Sequence, residues 1–374
     1  MSGAHGPTVK EAVGRSVPPA WFVERGTSFR NALGRTHGKM VPPFVLALER
    51  LFGIVDNKML AIAVELNIPD LLHEGPRSAA QLAATTGADA DALERMLRFL
   101  VSRDLLGTTK DGSFKNNAVS DVLRADHPWS WRGWVSFFGS DWNWKIWNEA
   151  KHSVMTGESG ALAAFGHDFF EHVNHRDPKA GEAFNEAMEA GSRIQGVVLE
   201  DSYDFSRYRR VCDVGGGTGA VLGAILQANE NLEGTLFELP EVAEAARLKV
   251  QAAGLLDRCS VVGGDFFASV PGNCDLYLML AVLHDWDDAP AAAILRNVRA
   301  AMPADGKAVV VESVLTDDPG YSFARATDLL MLVLTGSGRE RSEEDFKKLF
   351  AAAGFATRVI KLPTLFRAFE LTPA

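Results

Sequence analysis

Cysteine, basic charge and long apolar runs are scarce in this sequence of 374 residues, and each scarcity excludes something. Its three cysteines, Cys212, Cys259 and Cys274, are odd in number and lack the close spacing of a metal clip, so we expect reduced thiols in a cytoplasmic protein. No stretch reaches the roughly 18 apolar residues that a membrane-spanning helix needs. The first forty residues lack the pattern of a signal peptide. We therefore expect no membrane partner.

The first half of the chain has helical periodicity, from about residue 48 to residue 199. An apolar helix is predicted over residues 59–72, with a break near Pro69. Ser78 and Gln81 follow at the spacing of a capping box, in which each side chain bonds the backbone of the other residue. A third helix and then a hairpin complete the pattern, because Asp-Gly at 111–112 suits a tight turn. This is the order of a winged-helix module.

A winged helix can bind DNA or serve as a scaffold for dimerisation. The chain carries a formal net charge of -10, whereas a nucleic-acid surface needs a basic footprint. From Glu74 to Arg124 there are seven acidic and seven basic residues. We therefore predict dimerisation and no nucleic-acid partner, with a DNA-binding regulator as the weaker alternative.

The second half alternates strands and helices, which is typical of an open α/β sheet with parallel strands. The predicted strands are 210–214, 235–238, 259–262, 276–280, 308–312 and a final pair at 356–362 and 365–371. Ligands in such sheets bind at the carboxyl ends of the strands, so the loops there are the place to search. The predicted organisation is a flexible N-terminal arm at 1–40, a helical domain at 41–200 and a catalytic domain at 201–374.

A glycine-rich turn, Asp-Val-Gly-Gly-Gly-Thr-Gly at 213–219, follows the first of these strands. Glycines let the backbone turn sharply and approach a ligand closely. Gly215, Gly217 and Ala220 also satisfy the dinucleotide pattern. Glu238, at the end of the second strand, can accept hydrogen bonds from ribose hydroxyls. Turn and acid together indicate an adenosine-type ligand without choosing between a nicotinamide dinucleotide and S-adenosylmethionine.

The third loop, Gly264-Asp265-Phe266, separates these two ligands better. A carboxylate beside an apolar side chain suits the amino group and the ring face of an adenine. Asp265 alone could equally be the cap of a turn. Because this loop follows the third strand as the other two loops follow the first and second, the three loops together favour a methyltransferase.

The fourth loop contains a histidine, in Leu-His-Asp-Trp-Asp-Asp at 283–288. A lone histidine is more often structural than catalytic. Here Asp287 and Asp288 can cap the helix that begins near Pro290, which leaves His284 free to project from the ligand-binding edge.

At this point the sequence resembles the plant-type O-methyltransferases, a family that includes caffeate, flavonoid and hydroxyindole enzymes and bacterial antibiotic and phenazine enzymes. The resemblance covers nearly the whole chain. Its most specific segments are DVGGGTG at 213–219, FELPEV at 237–242, GDFF at 264–267, LHDWDD at 283–288 and GRERSEEDF at 338–346. It implies a Rossmann-like class I methyltransferase sheet, an N-terminal, mainly helical, winged-helix-like dimerisation domain, and a homodimer.

The resemblance also implies roles for individual residues. The catalytic base is His284, and the acids that hold its imidazole are Glu312 and Glu340. Contacts with S-adenosylmethionine fall to Asp213, Gly215, Gly217, Glu238, Leu239, Gly264, Asp265, Phe266, Trp286 and Ser192. Leu280 also borders the cofactor, where plant members have a lysine that bonds it. The substrate-binding residues are Trp142, Phe184, Met188, Asp285 and Met331.

The expected reaction is methylation of an acidic hydroxyl on an aromatic small molecule. A phenol has a pKa of ~10 and an imidazole one of ~6.5, so proton transfer is uphill by about 3.5 units unless the site narrows the gap. A carboxylate bonded to the imidazole favours the imidazolium form and so reduces the difference between the two pKa values. Glu312 could instead cap a strand end, and Glu340 could pair with Arg339 or Arg341 at the surface.

Several alternatives remain open at this stage. A nicotinamide-dependent oxidoreductase is permitted by the glycine turn alone, and a few members of the resembled family perform hydroxylation or decarboxylation without methyl transfer. We expect no metal, because two of the acids Asp285, Asp287 and Asp288 have a capping role. The histidines His167, His172 and His175 do not share a helix face.

Overall fold

The computed structural model describes residues 18–318 and 320–374. The α-helices are Ala20–Met40, Pro43–Leu51, Gly53–Glu65, Ile68–Leu71, Ala79–Thr86, Ala90–Ser102, Ala118–Asp121, Arg132–Gly139, Asp141–Asn148, Ala150–Thr156, Gly160–Phe165, Phe169–Glu171, Pro178–Ser202, Ala220–Ala228, Pro240–Ala252, Asp288–Ala301, Phe323–Leu334 and Glu343–Ala352. Short 3-10 turns cover Phe205–Arg207 and Leu283–Asp285, and a π-helical turn covers His172–Arg176. In the part of the chain that the structure describes, no helix is long and apolar enough to cross a membrane.

The strands are numbered β1 to β10 in chain order. They are Gly107–Thr108, Phe114–Lys115, Arg210–Val214, Glu233–Glu238, Cys259–Gly263, Leu276–Leu280, Lys307–Leu315, Arg341–Ser342, Phe355–Lys361 and Phe366–Pro373. The first two pair as an antiparallel hairpin, and the others form one sheet. The predicted hairpin, the five predicted parallel strands and the predicted final pair are thus confirmed: the strands 210–214 and 276–280 keep their predicted ends, and the other ends move by up to three residues.

The sheet has the order β5-β4-β3-β6-β7-β10-β9, with β8 paired to β7. Strands β3 to β7 are parallel, whereas β10 runs antiparallel to both β7 and β9. Successive crossovers run outward from β3 to β5, and the chain then returns to β6 on the other side of β3. The turns after β3 and β6 therefore border the crevice where an open α/β sheet binds its ligands.

Both faces of the sheet are covered, and the side chains of its strands alternate between two apolar cores. Along β7, Val309 and Val311 belong to one core, while Ala308 and Val310 belong to the other. Glu312 continues the second set and is completely buried. A charged residue at such a position needs a specific partner to offset its burial.

The chain divides into two compact units. Of the described residues, the sheet unit comprises 18–35, Ile146–Arg176 and those in 192–374, and the helical unit comprises Thr36–Lys145 and Asp177–Gly191. These limits differ from the predicted boundary at 200, because residues 146–176 belong to the sheet unit. Within that unit, the Ser159 hydroxyl donates to the Leu334 carbonyl at 2.7 Å, a contact that sequence periodicity does not reveal.

The helical unit has the predicted order of helices and hairpin. Ser78 and Gln81 form the expected capping box, which is confirmed by both hydrogen bonds. The break in the apolar helix lies earlier than predicted, at Asn67, whose φ of 54° is left-handed. Pro69 sits inside the first turn of the short helix Ile68–Leu71, where its missing N–H has no cost.

The predicted flexible arm at 1–40 needs a correction, since residues 20–40 form a helix; residues 1–17 lie outside the described part. Within the sheet unit, Asn31 of this helix donates to Asp318 at 3.2 Å. Glu24 accepts from Lys361 at 3.1 Å and from Arg367 at 2.8 Å. These long-range polar contacts stabilise a segment whose glycines and mixed charges favour no regular structure.

Candidate active site

The glycine-rich turn leaves β3 in the conformation that its sequence predicts. Gly215, Gly217 and Gly219 have φ values of 70°, 57° and 84°, a region that glycine enters without penalty. The Gly217 N–H donates to Glu238 Oε2 at 2.9 Å, and the Leu239 N–H donates to Oε1 at 2.8 Å. The acid predicted to contact a ribose is therefore held by two backbone donors, and one of them, the Gly217 N–H, belongs to the turn.

Asp213 is buried beneath this turn. Its Oδ2 has no hydrogen-bond partner among the described residues. Burial and the charge of Glu238 raise the pKa of Asp213 to about 7. A Cβ on Gly216 would lie 2.5 Å from Asp213 Oδ2, so the backbone passes directly over this carboxylate. A cradle without Cβ atoms above a buried acid fits a ligand that approaches the backbone closely.

The third loop places aromatic side chains beside the turn. The ring centroid of Trp286 lies 6.1 Å from that of Phe266 and 4.7 Å from that of Phe267, both edge to face. The Gly264 N–H donates to the Glu238 carbonyl at 2.9 Å. Asp265 is exposed and accepts from the Phe267 N–H at 2.8 Å. Its alternative role as a turn cap is thus real, although a carboxylate can accept further bonds. Phe267 is an aromatic neighbour that the sequence analysis did not single out.

Two further predicted cofactor residues lie in the same unit. Leu280 ends β6 and is half-buried. Ser192 lies in the helix Pro178–Ser202 and is also half-buried. Their contacts with a cofactor remain predictions.

His284 lies in the 3-10 turn after β6, and its Nδ1 lies 3.1 Å from Glu340 Oε1. Glu340 therefore bonds the imidazole and is not a surface partner of the neighbouring arginines. Glu312 has a different place: its Oε1 accepts from the N–H groups of Val282 and Leu283, at 3.1 and 2.7 Å. It caps the turn that carries His284, and its role in catalysis stays a prediction. His284 Nε2 lies 3.7 Å from Asp285 Oδ1.

The acids around His284 determine its charge. Burial alone would lower the pKa of His284, but the carboxylates of Asp285, Glu340 and Glu312 outweigh this and raise it to about 10. Burial raises the pKa of Asp285 to about 6 and that of Glu312 to about 7. The positive charge of His284 lowers both pKa values, but by less than burial raises them. The site is thus a cluster of coupled groups that share protons at neutral pH.

The backbone around His284 is held by contacts that the sequence pattern does not predict. Ala281 has a φ of 53°, a left-handed value that is uncommon outside glycine, and it turns the chain out of β6. The Arg341 guanidinium donates to the carbonyls of Leu283 and Trp286, at 2.9 and 2.7 Å. Asp328 accepts from the Glu340 N–H at 2.9 Å. No local pattern distinguishes Arg341 or Asp328, because each acts through a contact distant in sequence.

The predicted caps of the following helix are only partly correct. The helix begins at Asp288, and Asp287 occupies the N-cap position without a side-chain hydrogen bond. The carboxylate of Asp288 instead accepts from Arg341 Nε at 2.8 Å. The long-range partner replaces the local cap.

The predicted substrate-binding residues belong to both units. Asp285 and Met331 lie in the sheet unit, where Met331 is buried in the helix Phe323–Leu334. Trp142, Phe184 and Met188 lie in the helical unit. There, the ring of Phe137 is 5.4 Å from Trp142 and 6.1 Å from Phe184, so two of the predicted residues share one aromatic cluster.

His284, Glu312 and Glu340 are also spaced closely enough to be tested as a cation site. One candidate ligand atom from each lies within 4.8 Å of the others. Glu312 Oε2 and Glu340 Oε2 have no partner among the described residues. The expectation of no metal remains a prediction.

The strand order, with a glycine-rich turn after the central strand β3, is that of a class I methyltransferase. A family model of an O-methyltransferase domain matches residues 147–356, and one of an O-methyltransferase dimerisation domain matches residues 48–126. The chain belongs to the O-methyltransferase family. The predicted family, fold class and type of enzyme are confirmed.

Individual relatives agree with this assignment. The chain is 39% identical over 324 residues to a phenazine O-methyltransferase of Lysobacter antibioticus, covering 87% of this chain and 94% of that protein. It is 41% identical over 307 residues to a mitomycin biosynthesis 6-O-methyltransferase of Streptomyces lavendulae, covering 81% and 86%. The structure of human N-acetylserotonin methyltransferase with S-adenosylmethionine has a TM-score of 0.81 at 27% identity, covering 89% and 98%.

These comparisons establish S-adenosylmethionine as the cofactor and methyl transfer as the reaction. The glycine cradle, the backbone-held Glu238 and the aromatic side chains of the third loop are compatible with it. The nicotinamide-dependent oxidoreductase is therefore ruled out in favour of the methyltransferase. Some similar proteins are named N-methyltransferases, so the family membership alone does not fix the acceptor atom.

Proposed function

We propose that this enzyme methylates a phenolic or enolic hydroxyl of an aromatic small molecule, with His284 Nε2 as the general base. The observation that carries the proposal is the 3.1 Å contact between His284 Nδ1 and Glu340. In the neutral form of the imidazole, a carboxylate at Nδ1 holds the proton on that nitrogen and leaves the lone pair of Nε2 for the substrate. The base role thus rests on the tautomer that Glu340 favours.

When bound, S-adenosylmethionine supplies a methyl group on a positively charged sulfur. His284 Nε2 accepts the hydroxyl proton, so that the substrate oxygen can take up the methyl group. The cofactor would then leave as a neutral thioether and the product as a methyl ether, and His284 would hold the proton as an imidazolium. Glu340 and Asp285 stabilise that imidazolium.

The charge cluster suits an acidic hydroxyl. With the pKa of His284 at about 10, proton transfer from a phenol of pKa ~10 is close to balanced. General-base assistance of this type contributes about 10²–10⁴-fold, and alignment of the two reactants contributes much of the rest.

The direct test combines turnover with cofactor binding in His284→Ala. We expect kcat to fall by about 10²–10⁴-fold while calorimetry gives an unchanged Kd for S-adenosylhomocysteine. Substrates come from a mass-spectrometric screen of phenols, flavonoids, anthraquinones and phenazines, in which a product heavier by one methylene identifies the acceptor. Unchanged turnover of a phenol by His284→Ala would refute the base role.

An aromatic amine is the second candidate acceptor, because two similar proteins are named N-methyltransferases. An amine attacks with its own lone pair and needs no base beforehand. If nitrogen is the acceptor, the methylated amine is the product and His284→Ala retains most of its turnover. Neither reaction is proposed to use a metal, so we expect a chelator to leave turnover unchanged.

We propose that the substrate contacts Asp285 and Met331 of the sheet unit and, in the helical unit, Met188 and the Trp142 and Phe184 side chains that share a cluster with Phe137. Aromatic walls bury a flat substrate, and a few polar groups orient it. Trp142→Ala is expected to raise KM for the substrate more than it lowers kcat. A fall in kcat with no change in KM would contradict a role in substrate binding.

We further propose a cytoplasmic homodimer that associates through the N-terminal half. The matched dimerisation domain begins at residue 48, and large apolar side chains are exposed in and before it. They are Trp21, Phe22, Phe29, Leu33, Met40, Phe44, Leu48, Leu51, Phe52 and Ile54. Exposed apolar side chains in this number favour a protein interface.

Analytical ultracentrifugation tests the interface with the double variant Leu48→Glu and Leu51→Glu. We expect a dimer for the natural chain and a monomer for the variant, because two buried charges would oppose association. Leu248→Glu is the matched control, since Leu248 is 67% exposed on the helix Pro240–Ala252. A variant that stays dimeric would contradict this interface.

A further inference from the structure

The short segment 338–341 contacts the loop of His284 at several points. The Arg339 N–H donates to the His284 carbonyl at 2.7 Å. Arg341 donates to three groups of the same loop, the carbonyls of Leu283 and Trp286 and the carboxylate of Asp288, at 2.7 to 2.9 Å. One side chain thus holds both ends of the loop that carries the proposed base.

The burial of Arg341 makes these bonds necessary. Its side chain is only 2% exposed, and a buried guanidinium is costly unless its donors are bonded. The Asp288 side chain is 69% exposed, so this ion pair alone would stabilise little. The two carbonyls are the partners that account for an arginine here, because its planar group reaches several acceptors at fixed angles, which a lysine cannot.

Arg341 is also the neighbour of Glu340, at the start of β8. Successive side chains of an extended chain point to opposite sides. Glu340 contacts the imidazole ring of His284, while Arg341 binds the backbone on either side of that histidine. Asp328 fixes the same segment by accepting the Glu340 N–H. Two adjacent residues therefore locate both the ring and its backbone.

We propose that Arg341 is a positioning residue for methyl transfer, which sets the contact between His284 and Glu340 by holding the loop 283–288 against segment 338–341. This inference rests on the proposed base role of His284. Arg341 does not touch the reactants. It limits the position of the imidazole relative to the substrate oxygen, where an error of 1 Å can cost about 10²-fold in rate.

The test compares Arg341→Met with Arg341→Lys, and Arg296→Met is the control. Arg296 lies on the helix Asp288–Ala301 and, among the residues that the structure describes, bonds its own helix alone, at the Ala292 carbonyl. We expect kcat to fall about 10–100-fold in Arg341→Met, with KM and the Kd for S-adenosylhomocysteine within about twofold. Arg341→Lys should recover part of the loss, because an ammonium can satisfy one carbonyl and keep the charge.

A nuclear magnetic resonance measurement separates this inference from the proposed function. In protein with ¹⁵N-labelled histidine, the Nδ1 shift of His284 reports its bond to Glu340 without any turnover. We expect that shift to change in Arg341→Met and the rising limb of the pH profile to move, because the contact with Glu340 that stabilises the imidazolium is altered.

An unchanged His284 shift and an unchanged pH profile would overturn the positioning role, even with a lowered kcat. If both Arg341 variants fail to fold, as judged by circular dichroism, Arg341 serves the fold alone and the inference is also overturned. Full activity of His284→Ala on a phenol would instead refute the base role, whatever the Arg341 variants show.

Discussion

The carboxylates around the imidazole of His284 differ in what they bond. Glu340 meets the ring, Glu312 meets two backbone N–H groups, and Asp285 lies nearest Nε2. All three raise the pKa of the histidine by their charge, but only Glu340 determines which nitrogen keeps the proton. Glu312 thereby holds the turn, and Glu340 the ring.

This difference predicts the pH dependence of kcat/KM. A pKa of about 10 means that His284 is protonated below that pH, so its base form grows as the pH rises. We expect kcat/KM to increase up to about tenfold per pH unit through the neutral range. Glu340→Gln removes one charge, which lowers the pKa of His284 and moves the rising limb to lower pH.

The same substrate must be used for both enzymes, so that its own ionisation cancels in the comparison. A natural enzyme whose kcat/KM is already constant above pH 7 would contradict the raised pKa of His284. A rising limb of kcat/KM at the same pH in Glu340→Gln would contradict the conclusion that Glu340 raises the pKa of His284.

Gly216 is the glycine of the turn with the least room for a Cβ atom. Its Cβ would lie 2.5 Å from both Asp213 Oδ2 and Leu236 Cδ1. We expect Gly216→Ala to lower the free energy of unfolding by about 1–3 kcal/mol, because the buried neighbours must move. Displacement of the turn should also weaken binding of S-adenosylhomocysteine by about tenfold, measured by calorimetry.

Gly26→Ala is the control for this change, since its Cβ would meet nothing within 4 Å. Alanine there should be neutral or slightly stabilising, because it has the higher helix propensity. Equal effects of the two substitutions would contradict the steric explanation.

At the scale of elements, strands β7, β9 and β10 share a buried polar group, Glu370. It accepts from Tyr203 at 2.9 Å, from Arg358 at 3.0 Å and from Lys307 at 3.2 Å. Burial alone would raise the pKa of Glu370, but these three bonds lower it to about 2. The charged form is therefore favoured in the folded state, and it joins the antiparallel end of the sheet.

We expect Glu370→Gln to lower the free energy of unfolding at pH 7 by about 1–3 kcal/mol. Because the pKa is lower when folded, this contribution is present above ~4.3 and disappears as the pH falls towards 2. Denaturant unfolding from pH 7 to pH 3 should therefore show a shrinking difference from the natural chain. Glu343→Gln is the control, because Glu343 forms an exposed ion pair with Lys347 on a helix. It should change the free energy of unfolding by less than about 0.5 kcal/mol.

The loops of the sheet could be predicted because their information is local. A strand followed by glycines, an acid or a histidine is a continuous pattern, and the edge of a parallel sheet brings such loops together. The contacts that finish the site are not local. Arg341 reaches Leu283 across 58 positions, and Glu340 meets Asp328 across 12, so no periodicity reveals them.

At the scale of the whole molecule, the division into two units could not be predicted from the sequence, because it also depends on contacts between residues distant in sequence. Residues 146–176 are helical like the segment before them, which favours one helical domain. Tertiary bonds override that pattern, as when Ser159 donates to Leu334. The sequence of a helix shows which of its faces is apolar, but it does not show which element packs against that face.

The first described helix, Ala20–Met40, has a thermodynamic consequence of its own. Asn31 is its one buried residue among those the structure describes, and ionic contacts at Glu24 and Arg35 hold it. Such a helix opens at little cost, so its backbone amides should exchange with deuterium far faster than those of β3 or β7. If its exposed aromatic side chains are covered in a dimer, exchange should slow as protein concentration rises. The exchange rates of the individual amides in this helix would then measure subunit association directly.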